Sequence, residues 1–391
     1  MSKYFLLAFL FVGCCALNDR PIVGILFQEV DDEVKEYGES YLMSAYVTWV
    51  EESGGRVVPI KVGEDEAYYK DLFDKINGVL LPGGAVRIDN SAYEVAAEYL
   101  YKYAIKANDN GDYFPIWGTC LGMEELTFLT AKKDIMTQCS SENITVPLNF
   151  VRDFKESKLY KNAPEDAIRI LKNEHVTSNF HTNCITPKVH ENNYKLSNFY
   201  KILSTNIDRH GIEFVSSMEA YDYPIYGLQF HPEKNNFMFS TNKNIPHTYH
   251  AIRISQYFSN FFINETRKNN HKFPTIKEEA AALINNLRTI MLPPPAMHED
   301  YFLPINKKSA TETKSSFNDQ FSLGTKKESL VSIAGAKSVA IWMGIAISCI
   351  VVIVLVLKIK TSHGKNTSEY VKLKSDETFL FGSNEQRSSL A

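Results

Sequence analysis

Residues Phe114–Leu129 read FPIWGTCLGMEELTFL. An aromatic and apolar run ends in Gly-Thr-Cys-Leu-Gly, and a helical pattern of apolar and acidic residues begins directly after it. A cysteine taken alone is usually a small buried hydrophobe. Centred in Gly-x-Cys-x-Gly between a parallel strand and a helix, it has the build of a nucleophile elbow. Gly118 and Gly122 leave room for a tight turn, which lifts Cys120 to the carboxyl end of the sheet, where open α/β folds bind ligands. The helix N-terminus beneath it is expected to lower the thiol pKa, and the Leu121 N–H to donate to an oxyanion.

A thiolate acting on an amide needs a partner that returns a proton to the leaving amine. His231 in GLQFHPEK suits that role at the end of an expected strand, with Pro232 halting the strand. In an extended segment the side chains at i and i+2 point the same way, so Glu233 can hold the far ring nitrogen and fix the tautomer. The second oxyanion donor should come from a neighbouring strand's loop. Pro82-Gly83-Gly84 ends one, and glycine there lets backbone N–H groups approach a substrate.

Outward from the elbow, the strand and helix signals alternate. PIVGILF (21–27), RVVPI, INGVLLPGGAV and YFPIWGTC read as strands buried on both faces. GESYLMSAYVTWVEESGG reads as a helix stopped by Gly54-Gly55, and roughly Tyr93 to Asn108 as another. This alternation means parallel β-α-β units, hence an α/β, doubly wound and mostly parallel sheet. Residues from about Leu148 to Tyr200 read as loops and short elements decorating it. Two strands, IEFVSSMEA and YPIYGLQFHPEK, follow around a turn at Asp222, and a last helix covers about His247 to Lys268. The catalytic domain is placed at 20–290, followed by a Pro/Ser/Thr/Lys-rich stalk at 291–336.

The two ends carry a different message. Lys3, an apolar run from Phe5 to Val12 and small residues at Cys14 and Ala16 make 1–16 a signal peptide. Val339–Leu357 contains 19 residues without a charge, about 28 Å of helix at about 1.5 Å per residue, which is one bilayer core. A transmembrane helix is therefore placed at 338–357 and a cytosolic tail at 358–391, oriented by the cleaved signal. Asn143 and Asn264 head N-glycosylation sequons on the exported side. In the tail, Tyr370-Val-Lys-Leu373 matches the tyrosine-x-x-bulky-apolar pattern read by vesicle-coat adaptors. Outside the signal and the membrane segment only Cys120, Cys139 and Cys184 remain, an odd number. If Cys139 and Cys184 pair, Cys120 is the free thiol. A net charge of −4 offers no basic footprint for nucleic acid.

The order Pro-Gly-Gly, Gly-x-Cys-x-Gly, His-Pro-Glu resembles the class I glutamine amidotransferase-like superfamily, whose fold is flavodoxin-like. More narrowly, YFPIWGTCLGMEEL, YPIYGLQFHPEK, NETRKNNHKF, AYVTWVEESGGRVVPI and INGVLLPGGAV resemble the gamma-glutamyl hydrolase family, which trims poly-γ-glutamate from folates. The likeness runs from Pro21 to Phe273. It implies a nucleophile at Cys120, a histidine at His231 with Glu233 beside it, and substrate-binding roles for Tyr46, Glu124 and His181. The expected partner is a folate poly-γ-glutamate, cleaved through a thioester without metal or organic cofactor. Arg87 and Lys234 are candidates for holding its carboxylates. A homodimer is compatible with the sequence. A glutaminase-type amidohydrolase or a non-catalytic membrane receptor on the same scaffold are the rival readings. The expected location is a single-pass type I protein of a lysosome- or vacuole-like compartment or the cell surface, with its catalytic domain lumenal.

Overall fold

The computed structural model describes residues 17–30 and 34–304. The expected signal peptide, the membrane segment, the tail and most of the stalk lie outside the described residues. Among the described residues no helix is long and apolar enough to cross a membrane.

The main elements of the amino-terminal half come first. They are β1 (Ile22–Leu26), β2 (Ser40–Met43), α1 (Ser44–Glu51), β3 (Arg56–Ile60), α2 (Glu66–Phe73), β4 (Gly78–Leu81), α3 (Ala92–Asp109), β5 (Ile116–Thr119), α4 (Leu121–Ala131) and β6 (Thr137–Gln138). The remainder includes β7 (Asn149–Phe150), α5 (Glu165–Asn173), β8 (Asn183–Cys184), β9 (Tyr200–Ile207), β10 (Glu213–Ala220), β11 (Ile225–Leu228) and α6 (Tyr249–Thr266). The hairpin β12 (Thr289–Met291) and β13 (Glu299–Leu303) closes the described chain. The main sheet has eight strands in the order β3-β1-β4-β5-β11-β10-β9-β7. Its first five strands are parallel, and β10, β9 and β7 extend it antiparallel.

Side chains from the central strands alternate between two cores. Val79 and Leu81 of β4 face the layer of α2, α3 and α4, whereas Leu80 faces the layer of α1 and α6 with Trp49, Trp117 and Phe262. A strand covered on both faces must be apolar at every position, which is why β1, β4 and β5 read as unbroken apolar runs.

Two expectations are corrected and two elements are added. The helix read over residues 38–55 begins only at Ser44, because Ser40–Met43 is a strand paired with β13 and with Gln28–Glu29. Its burial alternates along the strand, the period of a half-covered sheet and not of a helix. The body also does not stop at 290: β12 and β13 form a hairpin that joins β2, so residues 291–303 belong to the folded unit and not to a stalk. Finally, α2 and β9 were not anticipated. Asp65 caps α2 by accepting from Tyr68 N–H, and β9 turns into β10 through Asp208, whose carboxylate accepts from His210 and Ile212 N–H.

Candidate active site

The strand order decides where the chemistry-bearing residues meet. Four adjacent parallel strands, β1, β4, β5 and β11, end on one side and are followed by Gln28, Gly83, Cys120 and His231 respectively. Leu81 lies opposite Gly118, and Leu228 opposite Thr119, so the loops that follow are neighbours. Cys120 N–H donates to Leu228 C=O at 2.7 Å, fixing the elbow to β11.

Cys120 has φ 52° and ψ −110°, a left-handed backbone that costs a non-glycine residue of order 1–3 kcal/mol. The two flanking glycines make the turn sterically feasible. A side-chain carbon on Gly118 would sit 2.6 Å from the Gly122 carbonyl oxygen, and one on Gly122 would overlap the Leu81 carbonyl. Leu121 N–H, at the free N-terminus of α4, favours the thiolate form of the sulfur.

Gly83 brings the rest together. A side-chain carbon there would lie 2.6 Å from His231 Cε1, 2.8 Å from the Tyr46 hydroxyl and 3.1 Å from Cys120 Cβ. Its N–H donates to the Tyr46 hydroxyl at 2.8 Å and its carbonyl accepts from Gln28 Nε2 at 2.8 Å. The Gln28 amide also packs where any side chain on Gly84 would go. Gly83 N–H can therefore serve an oxyanion only by giving up Tyr46.

His231 Nδ1 lies 2.7 Å from Glu233 Oε1 and 3.3 Å from the Tyr46 hydroxyl. With Nδ1–H donated to Glu233, Nε2 is left as the basic nitrogen, and among the described residues that atom is buried without a hydrogen-bond partner. Burial holds the His231 pKa below its ordinary value despite the charge of Glu233. Glu233 is itself below the usual carboxylate range: burial acts against ionisation, and the contacts to His231 outweigh it. Cys120 departs from expectation. Its thiol is pushed well up, first by burial and then by the charge of Glu124, and the Leu121 N–H and Lys234 do not compensate. The helix N-terminus acts in the anticipated direction but loses to desolvation, so the resting group is a neutral thiol beside a neutral imidazole.

Glu124, one turn into α4, is buried and accepts from Gln229 Nε2 at 2.9 Å. Burial raises its pKa to about 7. His181 arrives from the loop before β8; burial lowers its pKa to about 4, and its Nδ1 is 2.9 Å from Asn183 O. Cys120, Glu124 and His181 line one cavity of about 600 Å³, and Cys120 and His231 line a second of about 390 Å³. The structure thus assembles Tyr46, Gly83, Cys120, Leu121, Glu124, His181, His231 and Glu233 around one point. Of the two carboxylate-holding candidates, Lys234 lines the smaller cavity, while Arg87 forms a two-pronged pair with Asp89. Cys139 and Cys184 are free thiols packed with Phe214. Asn143 is half-buried and binds the backbone of the 242–244 loop, and Asn264 is exposed on α6.

Sequence reasoning missed Gln28, Gln229 and Phe180. Gln28 and Gln229 had a usable signal, since each sits just past the carboxyl end of a parallel strand. Phe180 had none, because its place depends on how the irregular middle segment folds back.

Comparison with known proteins matches the model of the family described as Peptidase C26 to residues 21–233. The chain belongs to that family. It is 43% identical over 267 residues to gamma-glutamyl hydrolase of Rattus norvegicus, covering 68% of this chain and 84% of that protein. Gamma-glutamyl hydrolase B of Dictyostelium discoideum is 44% identical over 260 residues, 66% of this chain and 75% of its own. Among solved structures, the glutaminase domain of CTPS from Trypanosoma brucei with bound acivicin aligns with a TM-score of 0.42 at 14% identity, over 65% of this chain and 96% of that one.

Proposed function

We propose that this chain is a cysteine hydrolase that cleaves the γ-glutamyl amide bonds of folate poly-γ-glutamates. The observation that carries the reading is the strained Cys120 elbow set between Gly83 and a Glu233-oriented His231, in a chain of the family to which the rat and slime-mould gamma-glutamyl hydrolases are similar.

Because thiol and imidazole are both neutral at rest, attack and deprotonation are coupled. His231 Nε2 takes the Cys120 proton as the sulfur adds to the γ-carbonyl carbon. The oxyanion receives the Leu121 N–H, and the Gly83 N–H once it leaves the Tyr46 hydroxyl. Collapse breaks the C–N bond, His231 returns the proton to the departing α-amino nitrogen, and a thioester remains. Water, deprotonated by the same nitrogen, then releases the acyl fragment and regenerates the thiol. Glu233 keeps the ring in the tautomer that leaves Nε2 basic and stabilises the imidazolium when it forms. Glu124 and His181 face the acyl half of the substrate.

The exported body is held at a membrane by 338–357, with 358–391 cytosolic and Asn143 and Asn264 glycosylated. The test is mass spectrometry of products from pteroylpentaglutamate. The wild-type chain should shorten it, and Cys120→Ala should retain less than about a hundredth of the turnover. Release of ammonia from free glutamine in preference to glutamate chains would overturn the assignment.

A further inference from the structure

Two cavities meet at Cys120 and share Gly84, Ala85 and Phe180, but their walls are of opposite character. The larger carries the carboxylates of Asp89, Glu124, Asp134 and Glu142, and its one arginine, Arg87, is paired with Asp89. The smaller carries Lys234, Lys243 and His298 among Met43, Met238 and Tyr41. A thioester mechanism divides its substrate at the sulfur, and the half that leaves takes a proton from His231. His231 lines the smaller cavity and not the larger.

We propose that the smaller cavity is the subsite of the departing fragment, and that Lys234, Lys243 and His298 hold the α-carboxylates of its γ-linked glutamates. This rests on the hydrolase reading above. The departing amine of such a chain is borne by a carbon that also carries a carboxylate, and every further residue adds one more.

The site is built for such a ligand. Lys234 is 5% exposed. Its ammonium finds two thioether sulfurs, Met43 Sδ at 3.5 Å and Met238 Sδ at 3.4 Å, and Glu233 Oε1 at 3.9 Å. Thioethers are weak acceptors, and Glu233 is already committed to His231, so a buried cation has its donors poorly used. Burial accordingly lowers its pKa, a cost that an incoming carboxylate would offset. Lys243 stands on the exposed loop across the same aromatic ring: the two ammonium nitrogens are 5.5 Å and 5.6 Å from the Phe180 centroid. Among the described residues Lys243 makes no ion pair. His298 comes from the β12–β13 hairpin, its Nε2 3.5 Å from Asp300 Oδ2. The hairpin thereby supplies one wall of the subsite.

The test uses the full chain carrying Cys120→Ala, with pteridine-free γ-linked tetraglutamate and diglutamate as probes in calorimetric titrations. The tetramer should bind more tightly than the dimer, and more weakly as salt is raised. Lys243→Glu should weaken it by about tenfold and Lys243→Arg restore it, whereas Lys106→Glu, the same charge change on the exposed face of α3 outside both cavities, should leave it unchanged. Lys243 lies on an exposed loop, so its variants are expected to fold. Affinity indifferent to Lys243→Glu, or lowered as much by Lys106→Glu, would overturn the subsite while leaving hydrolysis intact. Charge-dependent binding by a wild-type chain that cleaves no γ-glutamyl bond would leave the smaller cavity a site for γ-linked glutamates but overturn both the hydrolase reading and the departing-fragment role that rests on it.

Discussion

At Glu124 and Cys120, one residue's ionisation sets the other's reactivity. Glu124 is buried, so its carboxyl ionises at about 7 instead of the ordinary carboxylate range, and its charge is the second largest influence raising the thiol pKa. Below about pH 7 Glu124 is neutral and the sulfur can part with its proton more readily. As pH rises through 7 the new negative charge opposes thiolate formation. His231, held below its ordinary pKa, remains a base in mildly acid solution. The expected kcat/KM profile therefore falls on its alkaline side near pH 7, and Glu124→Gln should remove that fall while costing substrate affinity; an unmoved alkaline limb would separate Glu124 from the thiol. The same burial makes folding pH-dependent. Unfolded Glu124 ionises near its ordinary value whereas the folded group stays protonated, so its contribution to stability declines as pH rises from about 4.5 to about 7. Glu125 is a second such group, with both carboxyl oxygens buried and without a hydrogen-bond partner among the described residues, and a pKa well above the ordinary range. Glu125→Gln should raise Tm at pH 8 and change it little at pH 4, as a thermal melt at the two pH values would show. At the triad, His231→Ala should approach the loss seen for Cys120→Ala, with Glu233→Gln milder because it disturbs tautomer and orientation and not the proton carrier itself; steady-state kcat on a γ-glutamyl substrate separates the two.

Among the elements, the hairpin β12–β13 illustrates how a local reading goes wrong. Its sequence contains Pro293-Pro294-Pro295 and follows the last long helix, so it reads as the start of a stalk. Yet Tyr301 and Asp300 lie opposite Leu42 and Met43 of β2, and β2 runs straight into α1, which carries Tyr46. Cutting the chain after Ile290 should lower Tm by more than about 5 °C, since several kcal/mol of strand pairing are lost at about 2–4 °C each, and should cut activity through Tyr46 and His298. A cut after residue 304 should do neither, and thermal melts of the two truncations decide it. What the sequence makes legible follows the range of the interaction. The parallel strands and α3 are set by apolar runs and periodicity within about twenty residues, and β5, Cys120 and α4 by one short motif. Ser40–Met43 pairs with nearby Gln28–Glu29 on one side only; its other partner lies more than 250 residues along the chain, and no local pattern contains that. The site divides the same way. Cys120, His231 and Glu233 follow from motif and i,i+2 geometry, whereas the thiol's raised pKa comes from how thoroughly the surrounding elements enclose it, which only packing determines.

For the whole molecule, the electrostatics of the site and the proposed route of the chain point to the same kind of compartment. A neutral Glu124, a neutral His231 and two lysines facing the departing fragment suit an acidic lumen, where the thiol meets the least opposing charge. The proposed tail places Tyr370 and Leu373 on the cytosolic side, 13 residues beyond Leu357, far enough for the tyrosine to clear the headgroups. Extended binding with both side chains in pockets is the mode by which such a peptide would be read. Tyr370→Ala should then move a tagged full-length chain from an acidic lysosome- or vacuole-like compartment to the cell surface, followed by microscopy and surface biotinylation. Purified at pH 5.5, the relocated variant should match wild-type turnover, because the substitution changes no residue that lines the site. On intact cells near pH 7.4 it should work more slowly than that, because Glu124 is then largely ionised. A location unchanged by Tyr370→Ala would mean that the tail is not read, and slow turnover at pH 5.5 would place the loss in the catalytic body instead of in sorting.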